Sequence, residues 1–167
     1  MSRESKFIIG AFIVTILLVV GLTFLVTTKQ KTEAAISTNP VEGIESNPQH
    51  YDLGNVPYSG GLVTKEYEIK NSSGKDIKLL KIATSCMCTT ASIIIGGKES
   101  SFYGMEMTGV VNPTLSLTVK NGETAKVTTR FDPAAHGLAG LGQVQRSVWL
   151  YFDGGMKELT FKGDVVQ

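Results

Sequence analysis

From residue 51 onward, apolar residues recur at every second position in short runs, and that period commits most of the chain to β-strands. Tyr51, Leu53 and Val56 mark a first strand. Val63, Tyr67 and Ile69 then alternate with Glu66, Glu68 and Lys70, as expected of a half-buried strand. Asn71-Ser72-Ser73-Gly74 supplies a turn. Ile77 and Leu79 open the next strand, with Ile82 following after a shift of phase, and Ala91 to Ile95 is an apolar strand closed by Gly96-Gly97. Leu115, Leu117 and Val119 resume the alternation. Asn121-Gly122 predicts a hairpin turn into Ala125, Val127, Thr129 and Phe131. The last pair, Val148-Leu150-Phe152 and Leu159-Phe161-Val165, flanks a turn at Asp153-Gly154-Gly155. Seven or eight strands in about 120 residues predict an all-β fold, an immunoglobulin-like antiparallel β-sandwich over residues 49–167 with a less regular insertion near 97–114.

The N-terminus is of another kind. After a short tail, residues 1–6, the run FIIGAFIVTILLVVGLTFLV from Phe7 to Val26 carries no charge. As a helix it would span roughly 30 Å, about one hydrocarbon core, so residues 7–27 are expected to form a transmembrane anchor. The competing reading is a cleaved signal peptide, whose apolar region is shorter and ends at a small-x-small site. Here the first such site, Glu33-Ala34-Ala35, lies beyond Lys29 and Lys31, which favours an uncleaved single-pass anchor. No cysteine lies near the end of the run, which argues against a lipoprotein. Arg3 and Lys6 on one side nearly balance Lys29 and Lys31 on the other. A short N-terminal tail is expected to stay in the cytoplasm, which would put the C-terminal domain outside. Residues 28–48 have no apolar period, contain Pro40 and Pro48, and read as a linker. A net charge of +1 argues against nucleic acid as a partner, leaving the membrane and an unidentified protein.

Tyr51-Asp52-Leu53-Gly54-Asn55-Val56, Gly60 or Gly61, and Tyr67-Glu68-Ile69-Lys70-Asn71 form one set of motifs. Ile77-x-Leu79-x-x-Ile82 leading into Ser85-Cys86-Met87-Cys88-Thr89, then Phe131-Asp132-Pro133, Gly137 and Leu159-x-Phe161-x-Gly163-x-Val165 form another. Together these resemble the bacterial domain-of-unknown-function family 1573 over residues 49–166. Met87 stands where that family usually has glycine. The resemblance implies an immunoglobulin-like sandwich close to the Hydin-type and major-sperm-protein-like domains. It also implies export or membrane anchoring, and brings no catalytic activity.

Cys86 and Cys88 are the only cysteines. On an extended strand they would share a face with Cα atoms about 6.5–7 Å apart, so a bridge between them needs a local bend. Outside the cytoplasm the two thiols would tend to oxidise, and a strained bridge would be comparatively reducible. Two thiolates on one face also suit a soft ion such as Cu(I), with Met87, Met105 and Met107 as candidate thioether ligands. A structural pair packed at the end of the sandwich is the third reading.

Other groups offer less. His50 and His136 belong to no H-E-x-x-H pattern and are expected at strand edges or loops. Gly137 to Gly142 lacks the Gly-Lys-Ser/Thr ending of a phosphate loop, and Asp132, Asp153 and Asp164 are too scattered for a calcium loop. Trp149 and Tyr151 alternate with inward residues and are either an exposed partner surface or covered by the insertion. The sequence therefore predicts no enzyme and no cofactor. The leading expectation is a protein-binding or envelope-surface module, and the alternative is a redox or copper-handling domain built on Cys86 and Cys88.

Overall fold

The computed structural model describes residues 12–19 and 37–167. Residues 12–19 form an α-helix with every residue exposed, and Thr15 Oγ1 donates to the Phe12 carbonyl at 2.9 Å. The rest of the expected anchor, residues 7–11 and 20–27, and linker residues 28–36 lie outside the described residues. No described helix is long and apolar enough to cross a membrane.

Residues 36–167 make a compact unit of their own. Its strands are β1 Ile44–Asn47, β2 His50–Pro57, β3 Val63–Asn71, β4 Ile77–Thr84, β5 Thr89–Ile95, β6 Lys98–Glu99, β7 Leu117–Val119, β8 Thr124–Phe131, β9 Gly142–Phe152 and β10 Gly155–Val166. One sheet has the order β1-β3-β8-β5-β6 and the other β2-β10-β9-β4-β7. The predicted sandwich is present, with two short strands more than expected and one departure from antiparallel pairing, since β2 runs parallel to β10.

Alternation along each strand fills the space between the sheets. In β9, Val144, Val148, Leu150 and Phe152 point inward, against Leu159, Phe161 and Val165 of β10 and Leu79 and Ile82 of β4. The phase shift expected after Leu79 is a register irregularity between Leu79 and Lys81, which returns Ile82 to the core. Facing them from the other sheet are Tyr67, Ile69, Ile93 and Val127, all fully buried. Each such side chain is worth about 1.5–3 kcal/mol relative to exposure.

Two boundaries differ from the sequence reading. The folded unit takes in residues 39–47, within the stretch that the sequence reads as a linker. Val41 N–H donates to the Met156 carbonyl at 3.0 Å, Met156 N–H donates to the Asn39 carbonyl at 2.7 Å, and Ile44 is buried. Four residues of β1 are too few to register as a period, and Pro48 marks the switch from one sheet to the other. Asn121-Gly122 is likewise no hairpin: β7 pairs with β4 and β8 with β3 and β5, so the turn carries the chain between sheets.

The insertion stitches the two sheets together along one edge. Tyr103 exchanges two backbone bonds with Ala91 of β5, both 2.8 Å. Asn112 Nδ2 donates to the Ile82 carbonyl of β4 at 3.0 Å, and Glu106 pairs with Lys81 of β4 at 2.7 Å. The chain enters the sandwich beside the β9–β10 turn. Cys86 and Cys88 lie at the opposite end, where β4 and β8 finish and β5 and β9 begin.

Candidate functional site

The two cysteines sit in a turn, not on the extended strand assumed from the spacing. β4 ends at Thr84 and β5 begins at Thr89, and Thr89 N–H donates to the Cys86 carbonyl at 3.1 Å. Thr84 Oγ1, buried, lies 3.0 Å from the Cys86 carbonyl and 2.9 Å from that of Thr89, which fastens the turn to the end of β4. Ser85 ties it to β9 through Ser147, with Ser147 N–H donating to Ser85 Oγ at 2.9 Å. This bend brings the Cα atoms of Cys86 and Cys88 to 5.3 Å, and the two sulfurs are disulfide-bonded. Cys88 is buried among Val56, Phe131, Val144 and Phe161, while Cys86 is half-buried. Met87, between them, is 59% exposed.

Each sulfur has a nitrogen against it. His136 Nε2 lies 3.1 Å from Cys86 Sγ, and Arg146 Nε donates to Cys88 Sγ at 3.2 Å. The Phe131-Asp132-Pro133 string delivers the histidine. Asp132 N–H donates to the Cys88 carbonyl at 2.9 Å, and Asp132 Oδ1 accepts from Ala134 N–H at 2.9 Å. Gly137, at φ +59°, turns the chain immediately after His136. The Cys86, Cys88 and His136 donor atoms all lie within 4.8 Å of one another.

Arg146 comes from inside the strand pattern. It occupies the inward position between Val144 and Val148 on β9, opposite buried Phe161. Burial pulls the guanidinium below its usual pKa, and it remains charged. The sequence reading missed both partners of the cysteines. For His136 no local signal exists, because it is 50 residues from Cys86. For Arg146 a signal was present: a lone charge in the inward series Val144, Val148, Leu150, Phe152.

The remaining candidates lie elsewhere. Met105 and Met107 are on the insertion, where Met107 pairs with Val110. The neighbours of the two sulfurs are nitrogen groups and Thr89. Trp149 and Tyr151 are half-buried on the outer face of β9. Trp149 Nε1 donates to Glu158 at 3.1 Å, and Lys81, held by Glu106, lies 5.3 Å from the Tyr151 ring centre, so the insertion covers the pair in part. His50 Nδ1 lies 2.9 Å from Thr160 Oγ1, on the β10 residue whose register partner on β9 is Ser147. Asp52, Gln143, Gln145, Lys162 and Asp164 line a shallow groove of about 480 Å³ that contains neither cysteine nor histidine.

The segment from β1 to β6, which includes the cysteine turn, matches a known family. Residues 44–99 match the family described as Protein of unknown function (DUF1573). The DUF1573 resemblance drawn from the sequence motifs is thereby borne out over that segment. No curated protein matches the chain in sequence. Among solved structures, a protein of unknown function from Porphyromonas gingivalis W83 is similar at 14% identity and TM-score 0.52, over 80% of this chain and 51% of that one. The chain thus spans about half the length of that protein. The Vibrio cholerae VesB protease aligns at 20% identity and TM-score 0.47, over 74% of this chain and 32% of that one. A PapD-like domain of human CEP192 aligns at 12% identity and TM-score 0.43, over 80% and 92%.

Proposed function

We propose that the protein is a membrane-tethered, extracytoplasmic immunoglobulin-like module whose working element is a reversible Cys86–Cys88 disulfide, presented to a protein partner. The observation that carries this reading is the nitrogen group set against each sulfur, His136 on Cys86 and Arg146 on Cys88. A cation or donor beside a sulfur stabilises the thiolate, which makes it a better leaving group in exchange. A structural staple needs neither, and at the inward position of Arg146 an aliphatic residue would bury more apolar surface. In the exchange, a partner thiolate attacks one sulfur and the other leaves as thiolate. A second partner thiol then resolves the mixed disulfide. The partner dithiol gives up two electrons and two protons and departs as its own disulfide.

Three further features support the setting. The uncharged run Phe7–Val26 has anchor length, and helix 12–19 exposes Phe12, Ile13, Val14, Ile16, Leu17, Leu18 and Val19. An oxidised pair suits a compartment outside the cytoplasm. Leu62 and Met87 in loops and Leu138 in the short 3-10 helix Gly137–Gly140, each at least 59% exposed, lie at the cysteine end, where a protein partner would approach.

The test uses the full chain in detergent, equilibrated in dithiothreitol redox buffers, acid-quenched, alkylated and weighed. Both thiols should appear together in one reversible two-electron step while the fold persists. His136→Ala and Arg146→Met should each move the midpoint toward stronger reductant, because each removes a group that favours the reduced form. A pair that stays oxidised until the protein unfolds, or midpoints unmoved in both variants, would refute the reading. Protease added to intact cells should digest the C-terminal domain, and protection without lysis would overturn its outward placement.

A further inference from the structure

The geometry points to a second state of the same end of the sandwich: once reduced, Cys86, Cys88 and His136 form a three-coordinate site for Cu(I). This inference rests on the proposed reducibility of the pair and adds a ligand to it. The three donor atoms lie within 4.8 Å of one another. A metal bound at about 2.0–2.3 Å from each ligand in a trigonal plane requires separations of about 3.5–4 Å. His136 Nε2, at 3.1 Å from Cys86 Sγ, needs only a small retreat, and the sulfurs part when their bond is broken.

Ligand chemistry selects the ion. Two thiolates and one imidazole are a soft set, suited to a monovalent d10 ion that accepts three ligands. Zinc would ask for a fourth, and among the described residues no further histidine, cysteine or carboxylate joins the group. Charge agrees as well. Two thiolates around Cu(I) leave one net negative charge, and the Arg146 guanidinium on Cys88 offsets it. Cys88 is buried and Cys86 half-buried, so the ion would be shielded on one side and reachable from the other. The balance is simple. A dithiol reductant supplies two electrons and two protons to open the disulfide. Cu(I) then displaces two protons from the thiols and keeps its own oxidation state. Disulfide and metal exclude each other, so oxidation of the pair by a two-electron oxidant such as a disulfide would release the ion.

The experiment titrates the full chain, reduced in detergent under anaerobic conditions, with Cu(I) buffered by bathocuproine disulfonate, and records copper K-edge absorption. One equivalent should bind with two sulfur and one nitrogen scatterers. The disulfide form should bind none. His136→Ala should lose the nitrogen scatterer and weaken binding by at least about tenfold, while Cys88→Ser should abolish it. A folded, fully reduced chain that takes up no Cu(I), a His136→Ala protein with unchanged affinity and spectrum, or tighter binding of zinc than of Cu(I) would overturn the assignment. The reading on which it rests fails differently. If the disulfide resists reduction in the folded protein, exchange is refuted; if it opens and recloses without binding Cu(I), only the metal site is lost.

Discussion

Asn71→Ala should be among the most damaging single changes in the sandwich, out of proportion to the small volume it removes. Asn71 is fully buried at the end of β3. Its Nδ2 donates to the Val119 carbonyl at 2.9 Å and the Lys75 carbonyl at 2.8 Å. Its Oδ1 accepts from Ser73 N–H at 3.0 Å and from Ser73 Oγ. Its own backbone N–H donates to Glu123, and its carbonyl accepts from Gly122. One side chain thus pins the β3–β4 turn to the chain segment that crosses between sheets after β7. Truncation strips a donor from Val119 in a buried setting, at about 1–3 kcal/mol, and strips Ser73 N–H of its acceptor, at about 1 kcal/mol. Lys75 and the Ser73 hydroxyl lose less, because Ser73 Oγ still reaches the Lys75 carbonyl at 3.0 Å. The total is about 2–4 kcal/mol, a large part of the 5–15 kcal/mol typical of a domain. With a urea slope near 1.5 kcal/mol/M, the unfolding midpoint should drop by about 2 M. Asn121→Ala is the control, since it removes one exposed bond to Gly74 N–H and should cost about 0.5–1.5 kcal/mol. If the two variants lose the same stability, Asn71 does not hold the crossover and the reasoning fails.

Gly155→Ala tests whether residues 39–41 are docked on the sandwich. At φ +145° an added Cβ would stand 2.6 Å from the Asn39 carbonyl oxygen and 2.9 Å from Val41 Cα, so about 2–4 kcal/mol should be lost in chemical denaturation. In a chain truncated before residue 42 the penalty should shrink to the backbone strain alone; an undiminished penalty would refute the docking. Tyr67→Phe tests the buried phenol, whose hydroxyl donates to the Thr160 carbonyl at 2.9 Å. Burial, with a smaller contribution from Tyr51, raises its pKa. A raised pKa gives stability that is complete below the unfolded value near 10 and lost as pH climbs toward the folded one, at about 1.4 kcal/mol per pH unit. Tyr67→Phe should therefore be about 1 kcal/mol less stable at pH 8. The two stabilities should meet between about pH 10.5 and 11, and parallel curves to pH 11 would sink the argument.

The fold was legible because the core strands are long enough for the period to speak. Eleven residues of β9 and nine of β3 alternate plainly, and even the slip after Leu79 is visible in the spacing to Ile82. β1 and β6, with four and two residues, carry no period, and they form only because longer neighbours offer an edge. Asn121-Gly122 shows the limit of local signals. The dipeptide dictates a reversal with Gly122 at φ +80°, yet the next strand does not pair with the last, because β7 takes the edge beside β4 while β8 fills the place between β3 and β5. The cysteine turn was legible as a motif and illegible as a geometry. An extended-strand assumption kept the Cα atoms too far apart, whereas the Thr89 N–H bond to Cys86 closes the turn.

The same contrast separates the motifs that build the sandwich from those that build its end. Tyr67, Ile69, Leu79 and Phe161 are explained by burial, and any chain with this fold would need their like. Asp132 is not a core residue of that kind: it spends its backbone N–H on the Cys88 carbonyl and its side chain on Ala134, and the turn so made sets His136 on Cys86. Arg146 is harder still to explain by stability, since an inward cation within β9 displaces apolar burial and reaches Cys88 for its bond. Two segments remote in sequence from the cysteine turn therefore converge on its sulfurs, each by a residue the sandwich does not require. A structural disulfide would be served by Cys86, Cys88 and the Thr84 and Thr89 bonds alone. The surplus of His136 and Arg146 is what chemistry at the sulfurs would demand.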